Sequence, residues 1–421
     1  MKRLLWLLFI AAPLCAQTTA IGATDPKNSY NIIILAEGWK AGEEAAFQSA
    51  AERMSNELLD NVEPYKRFKQ FIRIVPKFVA SDSHGCQQKL ARASQPLPNE
   101  LDDNGKSTYF GIVFNSRYEK EGNTIKKLIP LPDVTPHKPA DIEERIKRAV
   151  GDTPYSMIFM LSPDEDRSPG LKFDEKLVFQ STYDLKEFPG DIAKCMAHEL
   201  GHGMFNLADE YSSGGTCNPP STEPMEANVT IQSDRTRVKW AYLGVGLEPG
   251  GKYCGTGYFH PTTGCRMLNP REVTHFCAVC LERVTHAMSE RVKLIVSVDP
   301  GRLPKIRLPS SPITFTVKTR CVETDPAKSR YSWMWLLDGA DVGPGTRTAA
   351  ADGCTYTYTI TPSSLSFGSH ELRFLVADTL NLSTGEASPK THRTPHSQKW
   401  FLWSPLLKSP LPKLSTIKSW F

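Results

Sequence analysis

Two histidines four residues apart, with a glutamate beside the first, are the residues of this chain best suited to chemistry. His198 and His202 bound the pentapeptide HELGH, and Glu199 follows the first histidine. On a helix, residues four apart share one face, so both imidazoles can bind one cation. Glu199 is then placed to act on a water molecule at the metal. This spacing predicts a hydrolytic zinc site.

The third ligand of such a site must come from beyond the helix, because hydrolytic zinc takes three protein ligands and keeps one position open. Asp209 and Glu210 are the nearest candidates. Asn206 readily takes the left-handed conformation that ends helices, so we expect the chain to turn back there. In the pattern HExxHxxGxxH the third ligand lies three residues after the turn glycine, and Asp209 lies three residues after Asn206. This offset favours Asp209 as the ligand and leaves Glu210 to orient a ligand by hydrogen bonding.

An HExxH sequence alone also occurs by chance on solvated helices. Its surroundings favour the metal site, because the preceding residues 192–197 are largely apolar and helix-compatible and acidic residues follow the expected turn. Gly201 and Gly203 lie inside the predicted helix, where glycine is unfavourable. We therefore expect another part of the chain to approach the helix backbone closely.

The ends and the charge of the chain constrain its location and partners. A basic start and an apolar run over residues 4–14 are typical of a secretory signal, so residues 1–17 are predicted to be a signal peptide and the protein to be secreted or periplasmic. An acylated Cys15 is a less favoured alternative. When Lys2 and Arg3 are removed with the signal, 48 of the 50 basic residues remain, against 46 acidic residues. The net charge is then close to zero, which argues against nucleic acid as a partner.

Nine of the ten cysteines remain when Cys15 is set aside. In an exported chain cysteines more often form disulfides than stay as thiols, and the odd number leaves one over. We expect Cys195, on the buried side of the active helix, to be that thiol. Residues 212–291 are rich in cysteine and glycine, so we expect this segment to rely on crosslinks. Cys277 and Cys280 could be half of a zinc knuckle or a redox pair, but crosslinking is the favoured interpretation.

The length of 421 residues predicts more than one domain. Between residues 18 and 297, apolar strands alternate with amphipathic helices, which predicts an α/β layer with a mixed sheet. The segment 177–182 is predicted to be an edge strand beside the metal cleft, where an extended peptide could pair with it. The predicted strands are 31–36, 71–79, 109–114 and 155–161, and the predicted helices are 41–59 and 140–150.

The pattern changes from about residue 298, where short alternating strands and turn residues begin. Residues 298–389 are predicted to form an immunoglobulin-like sandwich, with Trp333 or Trp335 in its core and a Cys321–Cys354 bridge. No acidic residue follows Glu386. The basic, aromatic tail 390–421 is predicted to be disordered, with weak association to an anionic surface or membrane as the alternative.

Two motifs resemble a known family. The run HELGHGMFNLADEY, from His198 to Tyr211, resembles the HE-x-GH-x(4)-LADEY signature of the secreted bacterial zinc peptidases called the IgA-peptidase family. Residues 257–280 resemble the end of that family's catalytic domain, so the resemblance covers residues 29–291. It implies a metzincin-like fold with Met267 in the apolar turn beneath the metal. The family usually has glycine where this chain has Asn206. It also has an arginine near the position of His260, and this chain differs there, so the resemblance implies no role for His260.

These features predict a secreted zinc endopeptidase that acts on a peptide or protein. Zinc bound by His198, His202 and Asp209 would lower the pKa of its bound water and polarise the scissile carbonyl. Glu199 would take the proton of the water and pass it to the leaving amine. Tyr211 or Tyr258 is the candidate donor to the oxyanion. A non-proteolytic surface-binding protein and a zinc amidase acting on cell-wall peptides are the alternatives.

Overall fold

The computed structural model describes residues 19–92, 106–121, 124–136, 139–164, 171–172, 177–181, 191–218, 221–270, 272–301, 303, 305–320, 331–350, 353–378 and 396–405. The predicted signal peptide lies outside these residues. The helices are α1 (Glu44–Asn61), α2 (Pro139–Val150), α3 (Asp191–Phe205) and α4 (Ala278–Arg291).

Within the described ranges the strands fall into five sheets. The first nine are β1 (Ile21–Gly22), β2 (Tyr30–Ala36), β3 (Ile72–Lys77), β4 (Gln87–Arg92), β5 (Ile112–Glu121), β6 (Thr124–Pro136), β7 (Met157–Ser162), β8 (Leu171–Lys172) and β9 (Leu177–Ser181). The others are β10 (Ser212–Thr216), β11 (Glu248–Gly251), β12 (Tyr253–His260), β13 (Ile295–Asp299), β14 (Ile306–Arg307), β15 (Ile313–Thr319), β16 (Tyr331–Leu337), β17 (Ala340–Asp341), β18 (Thr346–Ala350), β19 (Gly353–Ile360), β20 (Gly368–Asp378) and β21 (His396–Ser404).

The largest sheet of the N-terminal part has six strands in the order β1-β3-β2-β7-β9-β8. Strands β3, β2, β7 and β9 are parallel, and the two short outer strands are antiparallel to their neighbours. Every residue of β2 is buried, which is typical of the central strand of a parallel sheet covered on both faces. The predicted α/β layer with a mixed sheet is therefore present.

Helices cover both faces of this sheet. Ile32 and Ile34 of β2 face the cluster that contains the buried side of α1, including Phe47 and Met54, and the apolar residues of α3. Ile33 faces the opposite cluster, where α2 contributes Ile142, Ile146 and Val150. The two helices α1 and α2 lie where the apolar spacing in the sequence predicts them.

The predicted edge strand is not at the edge of the sheet. Strand β9 pairs with β7 on one side and with the two residues of β8 on the other. Leu171 and Lys172 thus occupy hydrogen-bonding positions that an added peptide would need along that part of β9. A two-residue strand has too few residues to show alternation, so apolar patterning could not predict β8.

Two smaller sheets complete this part. Strands β4, β5 and β6 form one, and β10, β12 and β11 form the other. The second follows the predicted metal-binding segment directly, and a disulfide between Cys217 and Cys254 joins the end of β10 to β12. This disulfide is the crosslink that the structure shows in the segment predicted to rely on crosslinking.

The C-terminal part consists of two sheets, β13-β15-β19-β18 and β14-β21-β20-β16-β17. Aromatic rings from the two sheets meet in the core, where Trp335 of β16 is fully buried. Its neighbours include Tyr358 of β19 at 5.6 Å and Trp400 of β21 at 5.9 Å between ring centroids. Cys354 is buried on β19, but Cys321 lies outside the described residues, so their predicted bridge stays a prediction.

The predicted disordered tail contains the strand β21, which pairs with β20 over nine residues. Gln398, Trp400, Leu402 and Ser404 are buried, while Phe401 between them is half exposed at 53%. This alternation is that of a strand with one face on a core. The C-terminal sheets therefore extend past residue 389, and the described part of the tail is not an exposed anchor. Among the helices in the described ranges, none combines the length and apolarity needed to cross a membrane.

A buried carboxylate fastens the segment before β5 to the sheet. Glu37 follows β2 and is fully buried. It accepts hydrogen bonds from the Thr108 hydroxyl at 2.6 Å and from the Phe110 and Ile112 amides at 3.0 and 2.9 Å. Burial raises the pKa of Glu37 to about 7, although these donors favour its ionised form.

This carboxyl makes the stability of the protein depend on pH. The folded protein retains a proton on Glu37 between the ordinary value of 4.5 and about 7, and the unfolded chain does not. The free energy of unfolding should therefore fall by about 3 kcal/mol as the pH rises through this interval. Glu37→Gln should remove that fall, measured by denaturant unfolding across the interval. Glu52→Gln on the exposed side of α1 is the control, and parallel curves for the wild type and Glu37→Gln would contradict the assignment.

Candidate active site

Helix α3 presents the two histidines beside each other. Ala193, Met196, Ala197 and Leu200 bury its apolar side in the main core. His198 and His202 lie one turn apart, with ring centroids separated by 4.7 Å and ring planes nearly perpendicular. The helix is therefore fixed by packing, and its remaining side carries both imidazoles.

The chain reverses at Asn206, as its residue type predicts. Asn206 has φ +53°, in the left-handed region. Its amide donates to the carbonyl of His202 at 3.1 Å, and the Leu207 amide donates to the carbonyl of Gly201 at 3.0 Å. These bonds use carbonyl groups that the end of a helix leaves unpaired. The reversal carries Asp209 back to the histidines.

Asn228 holds the returning segment in place. Its amide oxygen accepts from the Ala208 amide and its nitrogen donates to the Ala208 carbonyl, both at 2.8 Å. The Lys252 amide also donates to the Asp209 carbonyl at 2.9 Å. Nothing in the local sequence marks Asn228, since its partners are about twenty residues away.

Three potential ligand atoms converge. His198 Nε2, His202 Nε2 and one carboxylate oxygen of Asp209 are each 3.1 Å from the other two. Ligand atoms of tetrahedral zinc are separated by about 3.3 Å at ordinary zinc–nitrogen and zinc–oxygen distances. Within the described residues the Asp209 oxygen has no aligned hydrogen bond, although it is buried. The donor set and the spacing both fit a metal ion with two histidine ligands and one carboxylate ligand.

Backbone carbonyls orient both imidazoles. His198 Nδ1 is 3.1 Å from the carbonyl of Arg266, and His202 Nδ1 is 2.6 Å from the carbonyl of Leu207. Each carbonyl can only accept, so the protonated nitrogen of each neutral ring is Nδ1. This leaves both Nε2 lone pairs directed at the shared point, the tautomer that metal binding requires.

Met267 packs directly beneath the active helix. It is fully buried, and a Cβ built on Gly201 would lie 2.8 Å from its sulfur. The Met267 carbonyl accepts from the Glu210 amide at 2.9 Å. The close approach expected at the helix glycines therefore occurs at Gly201, and it joins the Met267 turn to the segment that carries Asp209.

The charges of the site depend on one another. Burial alone would raise the pKa of Asp209, but the two adjacent imidazoles outweigh it and hold that pKa below its ordinary value. Burial alone would lower the pKa of His202, but Asp209 and Glu199 raise it above the ordinary value. Asp209 is therefore an anion at neutral pH, as a metal ligand must be.

The three predicted catalytic residues, Glu199, Tyr211 and Tyr258, differ in how they lie relative to the three ligand atoms. Glu199 is buried next to His198, and its charge acts on both His202 and Tyr211. The Tyr211 ring lies alongside the His198 ring, 6.5 Å away at an interplanar angle of 23°. Tyr258 is partly buried and has no described contact with the three ligand atoms.

Tyr253 is a neighbour of the site that the sequence did not reveal. The Tyr211 hydroxyl donates to the Tyr253 hydroxyl at 3.3 Å. Burial raises the pKa of Tyr253 to about 12, and Asp209 and Glu199 contribute to that rise. Tyr253 is 54% exposed and follows Lys252, so neither apolar periodicity nor a motif distinguishes it.

Glu210 does not orient a zinc ligand, contrary to its predicted role. Its side chain is buried on the other side of the chain from Asp209, where Asn228 donates to one of its oxygens at 2.9 Å. Burial, with nearby cysteine, raises the pKa of Glu210 well above its ordinary value. Successive side chains of an extended segment point in opposite directions, which explains why these neighbouring acids serve different surroundings.

The cysteines near Glu210 are not crosslinked, contrary to the prediction. Cys265, Cys277 and Cys280 are buried thiols. Cys195 of α3 is also a buried thiol, as expected, but it is not the single thiol that the odd number of cysteines predicted, because Cys86 and these three residues are thiols too.

Residues 191–248 match the family model described as IgA Peptidase M64. The match includes α3, the reversal at Asn206 and Asp209, and it supports a peptidase family and a function of the metallopeptidase type. No curated protein matches the chain. The matched range ends before Met267 and the three clustered cysteines.

Proposed function

We propose that this protein is a secreted zinc-dependent endopeptidase. The observation that carries the proposal is the convergence of His198, His202 and Asp209, whose three ligand atoms lie 3.1 Å from one another. The family match over the same residues supports hydrolysis of peptide bonds. The Met267 turn below α3 supports a metzincin-like arrangement, and the two aromatic-filled sheets support an immunoglobulin-like C-terminal domain. The Cys217–Cys254 disulfide supports export to an oxidising compartment.

His198, His202 and Asp209 would hold a zinc ion, which when bound would supply the Lewis acidity that makes water nucleophilic near neutral pH and polarises a carbonyl. Glu199 then acts as the general base. Its carboxylate takes the proton of the attacking water and delivers it to the leaving amine. Burial of Glu199 excludes competing solvent and strengthens its interactions with charge.

The tyrosine pair is suited to stabilising the oxyanion. The Tyr211 and Tyr253 hydroxyls share one hydrogen bond and therefore retain one proton for a third partner. The ring of Tyr211 beside His198 holds that pair close to the ligand atoms. A hydrogen bond from either hydroxyl to the developing oxyanion would strengthen in the transition state.

Glu199→Gln tests the reaction. The variant keeps the shape of the side chain but removes the base, so the purified full chain should retain zinc and lose about 10²- to 10⁴-fold in kcat. Turnover is measured on a peptide library, together with metal content. A zinc-loaded wild type that cleaves no peptide would exclude the endopeptidase function, and wild-type turnover by Glu199→Gln would exclude the role of Glu199.

Asp209→Ala tests the third ligand. Loss of a direct ligand should raise the zinc concentration that half-restores hydrolysis after chelation by more than the roughly 10- to 100-fold typical of a lost orienting contact. Glu210→Ala and the surface variant Asp234→Ala are compared in the same titration, and both should shift it less. A larger shift in Glu210→Ala than in Asp209→Ala would assign the ligand to Glu210.

Tyr211→Phe tests the oxyanion donor. Removing the hydroxyl should lower kcat by about 10²-fold with little change in KM, because the hydrogen bond acts mainly in the transition state. Tyr253→Phe should also lower kcat, because Tyr253 accepts from Tyr211 and therefore holds the proton that the pair keeps for the oxyanion. Tyr258→Phe is the matched control and should retain normal kinetics. If Tyr258→Phe alone lowered kcat, the donor would be Tyr258.

A further inference from the structure

A second group of potential metal ligands lies behind the candidate active site. Cys265, Cys277, Cys280 and Glu210 are all buried, and their ligand atoms lie within 4.8 Å of one another. The Sγ atoms of Cys280 and Cys277 are 3.4 and 3.9 Å from the same Glu210 oxygen. This group is separate from the histidines and is not used in the proposed reaction.

The spacing of the sulfur atoms fits a shared metal. Cys265 and Cys280 have their Sγ atoms 3.8 Å apart. Two thiolates on one tetrahedral zinc are about 3.8 Å apart at a zinc–sulfur distance of about 2.3 Å. A disulfide would bring them to about 2.05 Å. The Cys277 amide donates to the Cys265 sulfur at 3.3 Å, a contact that stabilises a negative sulfur.

Buried polar atoms in the group lack partners in the described structure. One oxygen of Glu210 and Nδ1 of His260 are buried without a hydrogen bond, and they lie 3.7 Å from each other. Buried polar atoms are usually satisfied, so a site with two exceptions points to a missing partner. A cation among the sulfur atoms, which lie beside the other Glu210 oxygen, would keep the carboxylate ionised, and a protonated His260 Nδ1 could then donate to the oxygen that now lacks a partner.

We propose that Cys265, Cys277, Cys280 and Glu210 bind a structural zinc ion. Three thiolates and one carboxylate complete a tetrahedral shell and leave no position for water or substrate, which is the arrangement of a structural site. The buried guanidinium of Arg266, next in sequence to Cys265, partly offsets the negative charge of the ligands.

This zinc would help to fix the positions of the catalytic-site ligands, because two of its own ligands are adjacent in sequence to residues of that site. Glu210 follows Asp209, and Cys265 precedes Arg266, whose carbonyl contacts His198 Nδ1. Binding Glu210 and Cys265 to one ion would therefore limit movement of both the third ligand and an orienting carbonyl. The structural ion would support the site without taking part in the reaction.

Metal analysis of the purified full chain tests the proposal independently of hydrolysis. The wild type should contain two zinc ions per chain, and both His198→Ala/His202→Ala and Cys277→Ser/Cys280→Ser should contain one. After cobalt(II) substitution, the histidine variant should keep the thiolate-to-cobalt charge-transfer absorption and the cysteine variant should lose it. Cys86→Ser, which removes a buried thiol on the opposite face of the central sheet, should keep two ions.

The wild type alone also decides the question if the cysteine variant fails to fold. Denaturation with a chelator and alkylation without reductant should label Cys265, Cys277 and Cys280 as thiols. A disulfide among these three residues, or cobalt-loaded wild type without thiolate charge transfer, would each overturn the proposal. A single metal ion per wild-type chain would overturn it only together with the absence of that absorption, since an ion at the thiolates alone would leave the histidine site empty. An unchanged zinc count in a folded cysteine variant would also overturn it.

Discussion

The left-handed conformation of Asn206 is the constraint on which the candidate site depends. An α-helix cannot bring a later residue back to its own side chains, so one residue must leave the helical region for Asp209 to approach His198 and His202. The reversal also satisfies carbonyl groups of the last helical turn. Asn228 and the Met267 carbonyl then fix the returning segment from two directions. The position of Asp209 is thus determined by hydrogen bonds along the backbone of the returning segment.

Much of the N-terminal fold follows from local sequence. The apolar spacing of α1 and α2 and the β-branched run of β2 each specify one type of element, and tertiary packing agrees with them. Strand β21 was missed because the basic and aromatic composition of the tail suggested disorder, while the informative signal was the alternation of Gln398, Trp400 and Leu402 with exposed neighbours. Composition averages over both faces of a strand and therefore hides which face is buried.

The candidate site was predictable where the chemistry is local. His198, His202 and Asp209 are joined by one helix and one turn, so residue types and offsets suffice to bring them together. The positions of Tyr253 and Asn228 depend on contacts with residues 42 and 20 positions away. The arrangement of the cysteines depends on contacts between residues 12 to 70 positions apart. The direction of each Cys side chain depends on how α4 packs against the Met267 turn. The spacing of residues in the sequence does not specify that packing. For the same reason the sequence alone could not distinguish a pair of thiols 3.8 Å apart, such as Cys265 and Cys280, from a disulfide.

The opposite directions of Asp209 and Glu210 explain why two neighbouring acids cannot exchange roles. Rotating this segment to bring Glu210 to the histidines would move Asp209 toward the buried thiols and break the bonds at Ala208 and Met267. Each acid therefore opposes the misplacement of the other, because both are buried and a buried carboxylate without a partner is unfavourable. The pair specifies the register of the loop more strongly than either acid alone could.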